Sequence, residues 1–115
     1  MSAGFKVHDK VYWGTNGAVE VCVEAFAAQS AKIHGAENPL SIFFREERDG
    51  FYNGNIVFLD DWIADATAKH RFLDVLDLAM HDLLQGTLLT DWGKMWVQTT
   101  FRELRESIAE HERPK

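Results

Sequence analysis

Hydrophobic positions recur every three or four residues over three long stretches of the chain, and this spacing predicts amphipathic helices. The stretches cover about residues 18–34, 66–85 and 91–110. Gly35 and Gly86 follow the first two, at a position where glycine commonly ends a helix. Thr90 or Asp91 can cap the third, because a short side-chain oxygen accepts a backbone N–H that would otherwise lack a partner. Three long helices are therefore predicted.

A shorter helix is predicted from Pro39 to about Arg48. Asn38 suits the capping position before it, and proline is favoured at the first helical position because its missing N–H is not needed there. Asp49 and Gly50 then end the helix.

The N-terminal residues have the composition of a strand rather than a helix. Residues 5–13 are rich in β-branched and aromatic side chains, and a turn cluster follows them at residues 14–17. Such side chains favour strands. We therefore expect a short N-terminal strand or hairpin, with Thr15 or Asn16 capping the first long helix.

The segment 51–63 fits two structures. In one, Asn53 and Gly54 form a tight turn between a strand at 51–52 and a strand at 56–59. In the other, a helix places four apolar side chains on one face, at Tyr52, Ile56, Leu59 and Ile63. Periodicity does not separate the two for so short an apolar run. We favour a helix from Asn55 onward.

Together these elements predict a mainly α fold. Four to five helices pack around one core, with the N-terminal strand or hairpin beside them, and an α+β fold is the alternative. The 115 residues are expected to form a single globular domain spanning 1–115. A hydrophobic content of 46% with 26% charged residues is typical of folded proteins and argues against intrinsic disorder.

The charge and cysteine content narrow the classes of function. Twelve Lys and Arg against eighteen Asp and Glu give a net charge of −6, which disfavours a nucleic-acid binder because phosphates require a basic face. The single cysteine excludes an intramolecular disulfide. No apolar run approaches the ~20 residues that span a bilayer, and the N-terminus lacks the apolar region of a signal peptide. We expect a soluble cytoplasmic protein that binds neither nucleic acid nor membranes.

One polar pattern on the second long helix has the residue types of a metal site. At 100° per residue its four members share a band only ~60° wide. They are His70, Asp74, Asp77 and His81. Imidazoles and carboxylates bind divalent transition metals, but eleven residues span ~16 Å along a helix, so one ion cannot contact all four. We expect a solvent-facing stripe and no cofactor, with a divalent transition metal as the alternative.

Two other groups, both on the first long helix, are candidate sites. Glu20 and Glu24 lie one helical turn apart and could share a metal or a proton, although the simpler interpretation is that they face water. Cys22 lies on the apolar face of the same helix, which favours packing over nucleophilic chemistry. The chain also lacks familiar catalytic signatures such as a P-loop, H-E-x-x-H or G-x-S-x-G. We do not expect an enzyme.

The last helix carries two apolar faces, and a helix of this kind is either central or in contact with a partner chain. Tryptophan and methionine are enriched in interfaces and ligand pockets. The candidate interface or pocket residues are Trp92, Met95, Trp96, Trp62 and Trp13. We expect a homodimer, with Trp92, Met95 and Trp96 at or near its contact.

The pattern as a whole favours a non-catalytic protein-binding module of inhibitor or immunity type. The expected partner is a basic protein, attracted by acidic groups at Glu46, Glu47, Asp60, Asp61 and Asp65. The alternatives are a metal-binding helical protein or metal-dependent enzyme that uses part of the His/Asp stripe, and a small-molecule binder with a tryptophan-lined pocket.

Overall fold

A computed structural model describes residues 2–110 of the chain. Four α-helices dominate it and a three-stranded sheet precedes and interrupts them. The helices are α1 (Asn16–His34), α2 (Pro39–Asp49), α3 (Ala66–Gln85) and α4 (Asp91–Glu110). The strands are β1 (Ser2–Val7), β2 (Lys10–Thr15) and β3 (Ile56–Phe58). The mainly α fold with N-terminal strands is confirmed.

The sheet has the order β2-β1-β3, with β1 antiparallel to β2 and parallel to β3. A tight turn at His8, whose φ is 56°, joins β1 to β2. The side chain of Asp60 accepts a hydrogen bond from the His8 backbone N–H at 2.6 Å and so ties this turn to the segment after β3. The predicted hairpin is present, and a third strand extends it.

The segment 51–63 corrects the sequence-based preference for a helix. Its residues 56–58 form β3, and a single 3-10 turn follows at Asp60–Trp62. The alternative was right about the tight turn at Asn53 and Gly54 and about the strand that follows it. Its hairpin pairing was wrong, because β3 pairs with β1 and not with residues 51–52. Val57 and Leu59 are buried while Phe58 between them is exposed, which is the period-two alternation of a strand. The partner strand lies some fifty residues away, so local periodicity could not identify it.

The helix ends follow the local signals in the sequence. Thr15 Oγ1 accepts the Ala18 N–H at 3.1 Å and Asn38 Oδ1 accepts the Leu40 N–H at 3.0 Å. Thr90 Oγ1 accepts the Gly93 N–H at 3.1 Å. Each bond satisfies a backbone donor that the first helical turn leaves unpaired. Gly35 ends α1 with a φ of 92°, a backbone conformation that residues other than glycine rarely adopt.

One apolar core joins the sheet to all four helices. Phe26 of α1 lies at its centre and contacts the rings of four other phenylalanines, at Phe5, Phe44, Phe72 and Phe101. Of the apolar stripe predicted on α3, Phe72, Leu76, Ala79 and Leu83 are buried and Met80 is half-buried. One of the two apolar faces predicted on α4 is buried, at Val97, Phe101, Leu104 and Ile108. Within residues 2–110, no helix has the length and hydropathy needed to traverse a bilayer.

Candidate functional site

A groove runs along the outer side of α1, between that helix and the segment that connects α3 to α4. It consists of two pockets of about 300 Å³ each. Val21 of α1 and Leu88 of the connecting segment line both pockets, so the two adjoin at these residues. We call this surface the α1 groove.

The floor of the α1 groove is formed by small side chains on one face of α1. On the 100°-per-residue wheel, four lining positions fall within ~80° of each other. They are Gly17, Val21, Ala25 and Ala28. Because these side chains extend only a short distance from the helix axis, another element has room to approach the backbone closely.

The opposite wall begins at the end of α3 and continues into α4. Asp82, Leu83 and Gly86 line the first pocket. Leu89, Thr90 and Trp92 line the second, with Gly93 packed so tightly that a Cβ there would lie 3.2 Å from Leu89. The wall is held to α1 by a hydrogen bond in which Gln29 Nε2 donates to Asp82 Oδ2.

The charged residues lining the α1 groove are Glu24 and Asp82; within the described chain neither pocket is lined by Lys or Arg. Glu20, one turn before Glu24 on α1, is exposed on the same side of the helix. The groove is thus an apolar channel with acidic edges. Such a surface is complementary in charge and polarity to a cationic, amphipathic ligand and not to an anionic one.

Large apolar side chains are exposed on the segment that connects α3 to α4 and at the start of α4. Leu88 is 74% exposed, Trp92 is 56% exposed and Met95 is 67% exposed. Tryptophan and methionine are enriched in protein interfaces. Of the five predicted interface residues, Trp92 lines the α1 groove, and Met95 is exposed three residues further along α4.

The other three tryptophans have different environments. Trp96 is half-buried, its indole packs against Gly14, and its Nε1 donates to the Trp13 carbonyl at 2.9 Å. Trp13 itself is 54% exposed on the outer face of the sheet. Trp62 is half-buried against Phe43, with ring centroids 5.1 Å apart. The structure brings Trp13 and Trp96 together and places Trp62 elsewhere.

The His/Asp stripe of α3 is exposed at all four positions, His70, Asp74, Asp77 and His81. Asp77 Oδ2 lies 3.3 Å from Arg105 Nη2 on α4, an ion pair that the sequence did not predict. Within residues 2–110, no three His, Cys, Asp or Glu side chains cluster closely enough to hold a metal ion. The stripe faces solvent as predicted, and the absence of a bound metal stays a prediction made from the sequence.

The acidic residues around 46–65 have divided roles. Asp60 is committed to the β1–β2 turn, through the His8 backbone and the Lys6 ammonium at 4.0 Å. Asp65 caps α3 by accepting the Ala68 N–H at 2.8 Å. Partial burial, and then the neighbouring Glu46 carboxylate, raise the pKa of Glu47 above its ordinary value. Asp60 and Asp65 therefore serve the fold as well as the surface charge.

Cys22 is fully buried on the inner face of α1. Burial strongly raises the pKa of its thiol, which keeps it protonated and unreactive at neutral pH.

Sequence reasoning missed the α1 groove as a unit. It identified Glu20, Glu24 and Trp92 but not Val21, Ala28 or Leu88. One signal was present: two adjacent leucines follow Gly86 in a connecting segment, where apolar side chains have no helix face to cover. Which element they meet depends on how α1 packs against α3.

In comparisons with known proteins, no family model, no curated protein and no solved structure matches this chain.

Proposed function

We propose that this protein is a non-catalytic protein-binding module that holds an amphipathic basic helix of a partner protein in the α1 groove. The observation that carries the proposal is the composition of the groove, an apolar channel whose charged lining residues are Glu24 and Asp82. An inhibitor or immunity protein that blocks a basic enzyme or toxin would need a surface of this kind.

The dimensions of the α1 groove suit a helix. From Gly17 to Ala28 the floor extends over eleven residues, or ~16 Å, which is three turns of a partner helix. Helix-in-groove recognition requires an apolar floor that accepts side chains spaced three and four residues apart. The alanines of α1 allow the close approach that larger side chains would prevent.

The charge of the protein supports a basic occupant. The net charge is −6, and Glu20, Glu24 and Asp82 concentrate negative charge along the edges of the groove. Complementary charge accelerates encounter and disfavours wrong partners, while the buried apolar contacts supply affinity. Leu88 and Trp92 are the side chains we expect to carry most of that affinity.

The test uses a synthetic amphipathic helical peptide of Leu and Lys and a counterpart with Glu in place of Lys, each labelled for fluorescence anisotropy. We expect the basic peptide to bind and the acidic one not to. Glu24→Gln and Asp82→Asn should each weaken binding by up to ~fivefold, as expected for a single charge near a surface. Ala28→Trp should abolish binding by filling the groove.

Two matched variants control for nonspecific effects. Asp74→Asn removes a carboxylate from the exposed stripe of α3, and Ala109→Trp adds an indole at an exposed position of α4. Neither should change peptide affinity. Equal binding of both peptides, or binding by Ala28→Trp at the level of the unmodified protein, would disprove the proposal.

Self-association is a separate proposal, based on Trp92 and Met95 at the exposed face of α4. Both are more than half exposed and lie three residues apart, so they share one helix face. We expect sedimentation equilibrium at high micromolar concentration to give a mass above the 13.1 kDa of the monomer. Met95→Glu should restore the monomer mass; a mass of 13.1 kDa for the unmodified protein would exclude a dimer.

We further propose that this binding takes place in the cytoplasm. The chain has a single cysteine, Cys22, and that thiol is buried, so the fold depends on no disulfide and suits a reducing compartment.

A further inference from the structure

A third pocket, of about 340 Å³, opens between α3 and α4. Its apolar floor is formed by Leu76, Met80 and Leu84 of α3 with Phe101 of α4. Its rim carries Asp77, Gln98, Arg102 and Arg105. We call this the α3–α4 pocket. None of its lining residues lines the α1 groove.

The two arginines of the rim are placed to hold an anion. Arg102 and Arg105 are three residues apart on α4, so they lie on the same helix face. Arg105 Nη2 is 3.3 Å from Asp77 Oδ2, whereas Arg102 makes no ion pair with any described residue. Two guanidinium groups and one carboxylate leave one positive charge at the rim of a protein whose net charge is −6.

From this geometry we propose that the α3–α4 pocket binds a small monocarboxylate with an apolar body. The apolar body lies on Met80 and Phe101, and the carboxylate is bound by Arg102 and Arg105. A guanidinium group donates two parallel N–H bonds to a carboxylate, a stronger arrangement than a neutral hydrogen bond. The volume is at the lower end of small-molecule pockets, which suits a ligand the size of a medium-chain acid.

Asp77 sets the strength of this binding, because its carboxylate occupies the guanidinium group of Arg105 that the ligand needs. A bound carboxylate either displaces Asp77 from Arg105 or shares the guanidinium with it. Removal of the Asp77 charge should therefore strengthen binding, whereas removal of either arginine should weaken it. A pocket that recognised only the apolar body would respond to neither change.

The experiment is a titration with octanoate, observed at the Met80 methyl signal in a carbon–proton correlation spectrum and assigned with Met80→Leu. Octanol and octylammonium supply the same apolar body without the anion, and acetate supplies the anion without the body. We expect a saturable shift with octanoate and none with the other three. Arg102→Gln should weaken octanoate binding by ~10-fold or more, as expected for a lost hydrogen bond to a charged group.

Two further variants complete the test. Asp77→Asn should tighten octanoate binding several-fold, and Arg71→Gln, which removes an exposed arginine of α3 that does not line the pocket, should leave it unchanged. Octanol or octylammonium binding as tightly as octanoate would overturn the proposal. Unchanged octanoate affinity in both Arg102→Gln and Asp77→Asn would also overturn it.

Discussion

The α1 groove and the α3–α4 pocket have similar apolar floors but opposite charges at their rims. The groove consists of two pockets of about 300 Å³ and has Glu24 and Asp82 as its charged lining residues. The α3–α4 pocket encloses about 340 Å³ and carries Arg102 and Arg105 against Asp77. An apolar floor provides contact area for any ligand with an apolar face. The charge of the rim then determines whether a cationic or an anionic ligand is favoured. The net charge of −6 matches the sign of the groove but not that of the pocket.

The two sites also lie on the same hydrophobic core. Phe26 of α1 stacks on Phe101, which lines the α3–α4 pocket, with ring centroids 5.4 Å apart. Its chain neighbour Ala25 lines the α1 groove. Both sites are therefore surfaces of one core, and changes to that core should affect them together, whereas changes to a rim should affect one site alone.

The largest effect is expected from Phe26→Ala, which removes the ring at the centre of four aromatic contacts. Loss of a fully buried phenylalanine costs ~3–5 kcal/mol in the free energy of unfolding, and both sites should lose ligand binding together. Chemical denaturation measures the loss. Phe58→Ala, at a 56% exposed position on the sheet, is the control and should cost under ~1 kcal/mol. Equal losses for the two variants would contradict a shared core centred on Phe26.

A smaller effect is expected from Gly14→Ala, which should disturb the start of α4. The new Cβ would lie 2.3 Å from the Trp96 indole, so the ring must move and lose its bond to the Trp13 carbonyl. Overpacking of this kind costs ~1–3 kcal/mol. Peptide binding in the α1 groove should weaken more than octanoate binding in the α3–α4 pocket, since Trp92 and Gly93 line the groove.

Gly17→Ala is the matched control for that variant, because a Cβ at Gly17 would have no atom within 4 Å. Alanine in place of glycine favours a helix by up to ~1 kcal/mol, so this control should be neutral or stabilising. Denaturation and tryptophan fluorescence compare the two variants. Destabilisation of equal size in both would show that close packing on Trp96 is not the cause.

Because the two rims differ in charge, a substitution in one rim should weaken the binding of one ligand and leave the other ligand unaffected. Glu24→Gln should weaken binding of the basic peptide. It should leave the affinity for octanoate within ~twofold of that of the unmodified protein, because exposed charges are screened over ~10 Å at 0.1 M salt. Arg102→Gln should do the reverse. Anisotropy and the Met80 titration measure both ligands on both variants. Parallel losses would mean that the two sites do not act independently.

The smallest effect concerns Glu47, whose raised pKa means that the fold disfavours its charged form. Its protonated form therefore contributes stability below the unfolded pKa of ~4.3, and that stability is lost as pH rises through the folded pKa. Glu47→Gln should thus raise the free energy of unfolding at pH 7 by a few tenths of a kcal/mol, reduced by solvent screening, and change nothing well below pH 4.

The contribution of the Glu46 carboxylate to the raised pKa of Glu47 can be tested separately. In a Glu46→Gln background the gain from Glu47→Gln at pH 7 should be smaller, because one of the two causes has been removed. Denaturation curves at pH 7 and below pH 4 provide the measurement. A gain that persists at the lower pH would show that it arises from packing and not from ionisation.

The sequence determined the features that depend on neighbours within a few residues. Thr15, Asn38 and Thr90 cap helices through bonds to backbone groups two or three residues away, so their roles could be predicted from spacing. The inner faces of α3 and α4 were predictable for the same reason, since a period near 3.6 residues fixes which side chains share a face.

Tertiary structure decided everything that depends on distant partners. β3 was mistaken for a helix because its strand partner lies some fifty residues earlier, and Asp60 meets His8 over a similar separation. The Asp77–Arg105 pair and the meeting of Val21 with Leu88 depend on how helices pack, which periodicity within one helix does not specify. A sequence pattern states which face of an element is apolar. Only the fold decides which two faces meet and what charge lies along the edges between them.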